Sequence, residues 1–165
     1  MITSHLEVRG EPADDERRNC TLLGLVSGLM SEAPSHSHLP WAHVSTVLIP
    51  AISHRQVKVY FNEDGDPVGY VVWAHLADDV ERRAMQTGQF SLHESEWNEG
   101  NTLWVLDLLA LPGHLKYMLR DMRDSLFASD EAVRYLRIKH NRRMAKEIGR
   151  EERFGFFAAG RRQVA

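Results

Sequence analysis

Asp107 interrupts an apolar run, with Leu103-Trp104-Val105-Leu106 before it and Leu108-Leu109-Ala110-Leu111 after it. Such a run reads as a strand buried on both faces. An isolated ionised carboxylate there costs several kcal/mol unless it is paired or hydrogen-bonded. One explanation is structural, an aspartate satisfied at a bulge or at a sheet edge. The other is chemical. A carboxylate that accepts the N–H of an imidazole fixes its tautomer and raises its basicity. The residue pattern alone leaves both open.

Nine histidines offer partners, and four of them cluster at His36, His38, His43 and His54. The His-x-His spacing invites a metal, but the loop has no cysteine and Glu32 is its only nearby acid. Zinc takes three or four well-placed ligands, so no metal site is expected. The single cysteine, Cys20, excludes an internal disulfide and a cysteine zinc knuckle. It leads into an apolar helical pattern and reads as a packed or exposed thiol. Phosphate-cradling loops of the GxGxxG and GxxxxGK[ST] types are absent, as is a GxSxG nucleophile elbow. The [RQ]xxGx[GA] turn that holds the coenzyme A pyrophosphate in simple N-acetyltransferases is also missing. That argues against coenzyme A as the direct donor.

Lys116, Arg120 and Arg123 stand at i, i+4 and i+7, and Arg142, Arg143 and Lys146 form a second basic group. Either could be solvated surface or a docking face for an acidic protein.

The elements that must position these residues follow from periodicity. Residues 1–19 are polar and read as a flexible arm, followed by a single domain over 20–165. Asn19 suits a helix N-cap, after which Leu22, Leu25, Val26, Leu29 and Met30 form an amphipathic stripe that Pro34 closes. Pro40 opens another helix, with Trp41, Val44 and Leu48 on one face. Strands are expected over 57–61 and 67–74, joined by the Asn62-Glu63-Asp64-Gly65 turn. A surface helix over 76–87, a central strand over 102–111, a helix over 114–127 and a strand over 132–139 follow. The segment FGFFAAG could add a last strand. Helices first and then a mainly antiparallel sheet argue for an α/β sandwich of the α+β class.

The bulk numbers exclude several functions. A net charge of -3 excludes a wholesale nucleic-acid binder. No apolar run approaches the roughly 18 residues of a membrane span, and the N-terminus lacks a secretory layout. A cytoplasmic protein is expected.

Three blocks resemble the toxin-activating lysine acyltransferases, the hemolysin C-like proteins that mature RTX toxins. The first runs from Leu23-Gly24 through Ala33-Pro34-Ser35-His36 and Pro40 to Leu48-Ile49-Pro50-Ala51-Ile52. The second is Pro67-Val68-Gly69-Tyr70 with Trp73-Ala74-His75-Leu76, and the third is Glu96-Trp97-Asn98-Glu99-Gly100 with Leu103-Trp104-Val105-Leu106-Asp107. Lys116-Tyr117-Met118 matches a short motif beyond them. The similarity covers roughly residues 22–127. Val47 departs from it, standing where the family often has an asparagine linked to the active site.

The resemblance implies a fold similar to GNAT acyltransferases, with His36 and Asp107 as the catalytic pair and no tightly bound cofactor. It implies a fatty acyl group carried by acyl carrier protein as co-substrate, an internal lysine of an RTX-type protoxin as acceptor, and a homodimer. Lys116, Arg120 and Arg123 would then be the carrier-docking candidates. His36 would act as the base, and an acyl-enzyme through Ser35 or Cys20 is a lesser route. Two other functions stay open: an acetyl-CoA-dependent N-acetyltransferase, and a non-catalytic toxin-binding or chaperone protein on the same scaffold.

Overall fold

The computed structural model describes residues 14–88, 90–139 and 142–150. Helix α1 spans Asp14–Glu32 and presents Val26, Leu29 and Met30 to the core. It begins five residues before the expected cap at Asn19, so residues 14–19 of the expected arm are helical. Asp14, Asp15 and Glu16 in the first turn suit the positive end of the helix dipole. After a turn holding His36 come α2 (Trp41–His43), a π-helical turn (Val44–Leu48) and α3 (Ile49–Ser53).

The sheet has five strands in sequence order: β1 (Val57–Phe61), β2 (Pro67–Leu76), β3 (Thr102–Ala110), β4 (Ala132–Lys139) and β5 (Arg142–Gly149). Every neighbouring pair is antiparallel except β3 and β4, which run parallel. Gly65 sits at φ 87° in the β1–β2 turn, a conformation that glycine tolerates without strain. Helix α4 (Asp78–Thr87) follows β2, and α5 (Leu115–Asp121) continues into a second π-helical turn (Met122–Leu126) before β4. The expected α+β class and mainly antiparallel sheet are what the chain forms. Strand β5 was not expected, and the FGFFAAG segment lies outside the described residues.

Two cores cover the two faces of the sheet. On one, α1, the π turn and α3 pack Val26, Leu29, Val47 and Leu48 against Tyr70, Val72 and Trp104. On the other, Leu119, Met122 and Phe127 pack against Val71, Leu103 and Val105. Arg134 of β4 pairs with Glu81 of α4 and Glu147 of β5, tying the far end of the sheet to that helix. Among the described residues, no helix is long and apolar enough to cross a membrane.

Candidate active site

Strict alternation along β3 would turn Asp107 to the same face as Leu103 and Val105, away from α1. A β-bulge prevents this. Val72 pairs with Asp107 but the next residue, Trp73, pairs with Val105, so Leu106 is the extra residue. Bulges re-aim side chains in this way. Leu106 and Asp107 both face the α1 side, and Leu108 returns to the opposite core. The pairing of β3 with β4 covers only Trp104 with Arg134 and Val105 with Tyr135. It ends where the bulge begins.

A cleft of about 520 Å³ lies beside this point. Leu39, Val47, Phe90, Leu106 and Leu136 make much of its wall apolar, while Ser35, His36, His43 and Asp107 bring polar groups to it. Its size falls in the range of small-ligand sites.

Both oxygens of Asp107 are engaged. His36 Nε2 lies 2.9 Å from Oδ1, and His43 Nε2 lies 2.9 Å from Oδ2. Tyr70 donates its hydroxyl to Oδ2 at 2.8 Å. With Asp107 only 10% exposed, the buried charge meets three donors, which resolves its cost. Burial is the largest single influence and pushes the carboxyl up. The combined bonds and charge interactions from His36 and His43 reverse it and hold the carboxyl well below the usual range. Burial, then the Asp107 charge and bond, holds the Tyr70 phenol well above its ordinary value, so Tyr70 stays a donor.

These bonds set the tautomer of His36. A carboxylate only accepts, so His36 carries its proton on Nε2 and its lone pair on Nδ1. Ser35 Oγ lies 2.8 Å from that Nδ1 and donates to it. Ser35, His36 and Asp107 thus form a chain of hydroxyl, imidazole and carboxylate opening on the cleft. Such a chain can take up a proton from a nucleophile.

The His36–Asp107 pair expected from the sequence is brought together. His43 was not singled out, yet it shares the carboxylate. Its signal was only its spacing, seven residues after His36 and four before Val47. His38 is exposed, and His54 stacks on buried Trp97 with ring centroids 5.8 Å apart. Cys20 is exposed on α1 and is not among the residues lining the cleft. Lys116 and Arg120 are exposed on α5, across the sheet from α1, and Arg123 is engaged by Asp124 at 2.6 Å. The side chains of Arg142 and Arg143 lie outside the described residues. Among the described residues no cluster of His, Cys, Asp and Glu is arranged to hold a metal ion.

Comparison with known proteins gives these residues a context. A profile of the RTX toxin acyltransferase family matches residues 16–150. The chain is 28% identical over 111 residues to the leukotoxin-activating lysine-acyltransferase LtxC of Aggregatibacter actinomycetemcomitans, covering 67% of this chain and 65% of that one. It is 32% identical over 116 residues to the protein-lysine myristoyltransferase RtxC of Kingella kingae, covering 70% and 67%. The chain therefore spans about two thirds of the length of these relatives. Among solved structures, a GNAT-family acetyltransferase from Listeria monocytogenes is similar at 13% identity with a TM-score of 0.42, covering 80% of this chain and 76% of that one. A likeness of that size says nothing about chemistry.

Proposed function

The chain belongs to the RTX toxin acyltransferase family, and on that premise we propose that it transfers a fatty acyl group from an acyl-acyl carrier protein to a lysine of an RTX-type protoxin in the cytoplasm. The observation that carries the reading is the hydrogen-bonded chain from Ser35 through His36 to Asp107 at the wall of a largely apolar cleft.

A lysine ammonium cannot attack a thioester until it loses a proton. The neutral amine attacks the thioester carbonyl carbon, and the tetrahedral oxyanion collapses with loss of the carrier-bound thiolate. The proton shed by the amine passes to His36 Nδ1, directly or through the Ser35 hydroxyl, and then to the thiolate. The products are the lysine amide and the carrier thiol. Asp107 keeps His36 in the tautomer with Nδ1 free and stabilises the imidazolium formed during transfer. Base catalysis of this kind contributes about 10²–10⁴-fold.

The apolar wall suits an acyl chain. The docking candidates Lys116 and Arg120, with exposed Leu115 and Tyr117, lie on α5 on the face of the sheet opposite the cleft, so an acidic carrier protein held there would have to pass its acyl-bearing arm round the sheet edge to reach His36. Arg123 contributes less because Asp124 already engages it.

The test is a comparison of donors. Palmitoyl-acyl carrier protein and palmitoyl-coenzyme A are offered in parallel with a protoxin fragment, and lysine acylation is read by mass spectrometry. Transfer from the carrier thioester alone is expected. Transfer from coenzyme A alone would replace this reading with an acetyltransferase-type donor. Binding of the carrier protein without transfer would leave a binding protein.

A further inference from the structure

The mechanism above uses one imidazole, but the carboxylate holds two. His43 Nε2 lies 2.9 Å from Asp107 Oδ2, its side chain is 18% exposed, and it lines the same cleft as His36. Its position is set by the backbone. His43 is the last residue of α2, immediately before the π-helical turn at Val44–Leu48. Single π turns inside helices are frequent at functional sites because the added residue changes which side chains face inward.

Each histidine holds a different oxygen of Asp107. His36 alone would leave Tyr70 to fix the carboxylate plane from the other side. His43 adds a second donor on Oδ2, so the plane is held by two rings and a phenol. We propose that His43 is a positioning residue of this site, holding Asp107 in line with His36 and switching the site off when it becomes protonated.

The switching follows from charge. Neutral His43 donates to Asp107 and leaves a full negative charge to stabilise the imidazolium that His36 becomes during transfer. If His43 is already an imidazolium, two cations share one carboxylate, and the second proton is resisted. The groups that face this cluster are few. Among the described residues lining the cleft only His36, His43 and Asp107 carry titratable side chains, and Tyr70 behind the carboxylate stays protonated. Ser35, Thr46 and Ser91 are neutral at working pH.

This inference rests on the acyl-transfer reading for its kinetic arm and on geometry alone for its spectroscopic arm. In the kinetic arm, His43→Gln and His43→Ala are compared with wild type across pH. Glutamine keeps an N–H donor near the imidazole Nε2 but cannot take a proton. His43→Ala should lower kcat by about ten- to a hundredfold, less than loss of a general base. His43→Gln should restore most of kcat. The acid limb of log kcat against pH should fall with a slope of one and steepen towards two at lower pH in wild type, because the second proton is resisted, and should keep a slope of one throughout in His43→Gln.

An unchanged rate and slope in His43→Ala would overturn the proposal. A His43→Gln variant as slow as His43→Ala would overturn it too, since His43 would then touch the reactants rather than act through Asp107. In the spectroscopic arm, ring nitrogen NMR of the wild-type protein should give the Nε2–H tautomer for both histidines. A mixed or Nδ1–H tautomer at His43 would also overturn the proposal. If wild type acylates no lysine at all, the acyl-transfer reading fails, while the NMR result still decides whether His43 holds Asp107.

Discussion

Replacing Asp107 with asparagine exchanges one carboxylate oxygen for an NH₂ group and should slow the reaction sharply while leaving the fold in place. Asp107 accepts from His36 on one oxygen and from His43 and Tyr70 on the other. Asparagine has one acceptor oxygen and an NH₂ group. Turned so that the oxygen serves His43 and Tyr70, it confronts one N–H with another at His36. Turned the other way it confronts two donors. An unsatisfied buried donor costs about 1–3 kcal/mol, so the first orientation wins. His36 then relieves the clash by moving its proton to Nδ1, which removes the lone pair that the lysine proton needs. The same substitution in a Ser-His-Asp triad costs about 10⁴-fold through the wrong tautomer. Here the loss should fall between about 10² and 10⁴, the span of general base catalysis. In barrier height that is about 3–5 kcal/mol. Single-turnover acylation measures the rate, and circular dichroism checks that the variant is folded. A folded Asp107→Asn protein that keeps more than about a tenth of the wild-type rate, less than 1.4 kcal/mol of barrier, would refute the reasoning.

Tyr70→Phe removes one of two donors to Oδ2 and should cost about 1.5–3 kcal/mol in denaturant unfolding, with a smaller loss of transfer than Asp107→Asn. An unchanged midpoint would mean that water replaces the phenol. The stability difference between wild type and Asp107→Asn should depend on pH. The folded Asp107 carboxyl lies below its unfolded value, so its contribution is complete above about pH 5 and fades as pH falls through the ordinary aspartate value of about 3.9 and below. A difference that grew on acidification would contradict the sign. Gly100→Ala should destabilise the fold, because a Cβ there would lie 1.9 Å from the Leu76 carbonyl oxygen. Overpacking of this kind costs about 1–3 kcal/mol, read as a fall in the thermal midpoint.

How much of this was legible in the sequence depended on whether one residue's environment could be read locally. Asp107 was visible because a lone carboxylate in an apolar run demands an explanation, and both explanations proved to apply: it sits at a bulge and it holds histidines. The bulge itself was not visible. With both faces of β3 buried, the alternation that would reveal an extra residue at Leu106 is absent, so the direction of Asp107 could not be derived. His36 was picked out by the spacing of a motif rather than by its chemistry. His43 escaped because a straight α-helix was assumed through Trp41, Val44 and Leu48. Val44 and Leu48 are buried as that face requires, but Trp41 is 72% exposed, and the π turn alters the phase after His43. Strand β5 was hidden by its composition. Its charges belong to an edge strand, and the partners that explain them, such as Glu147 with Arg134, lie on another element.

The account stands or falls on lysine acylation that depends on His36. Wild type and His36→Gln would each be mixed with acyl-acyl carrier protein and a protoxin fragment, and the acceptor mapped by mass spectrometry over time. Wild type should add one acyl mass to a lysine, and a folded His36→Gln should do so about 10²–10⁴-fold more slowly. Equal acylation by the two proteins would contradict the central claim.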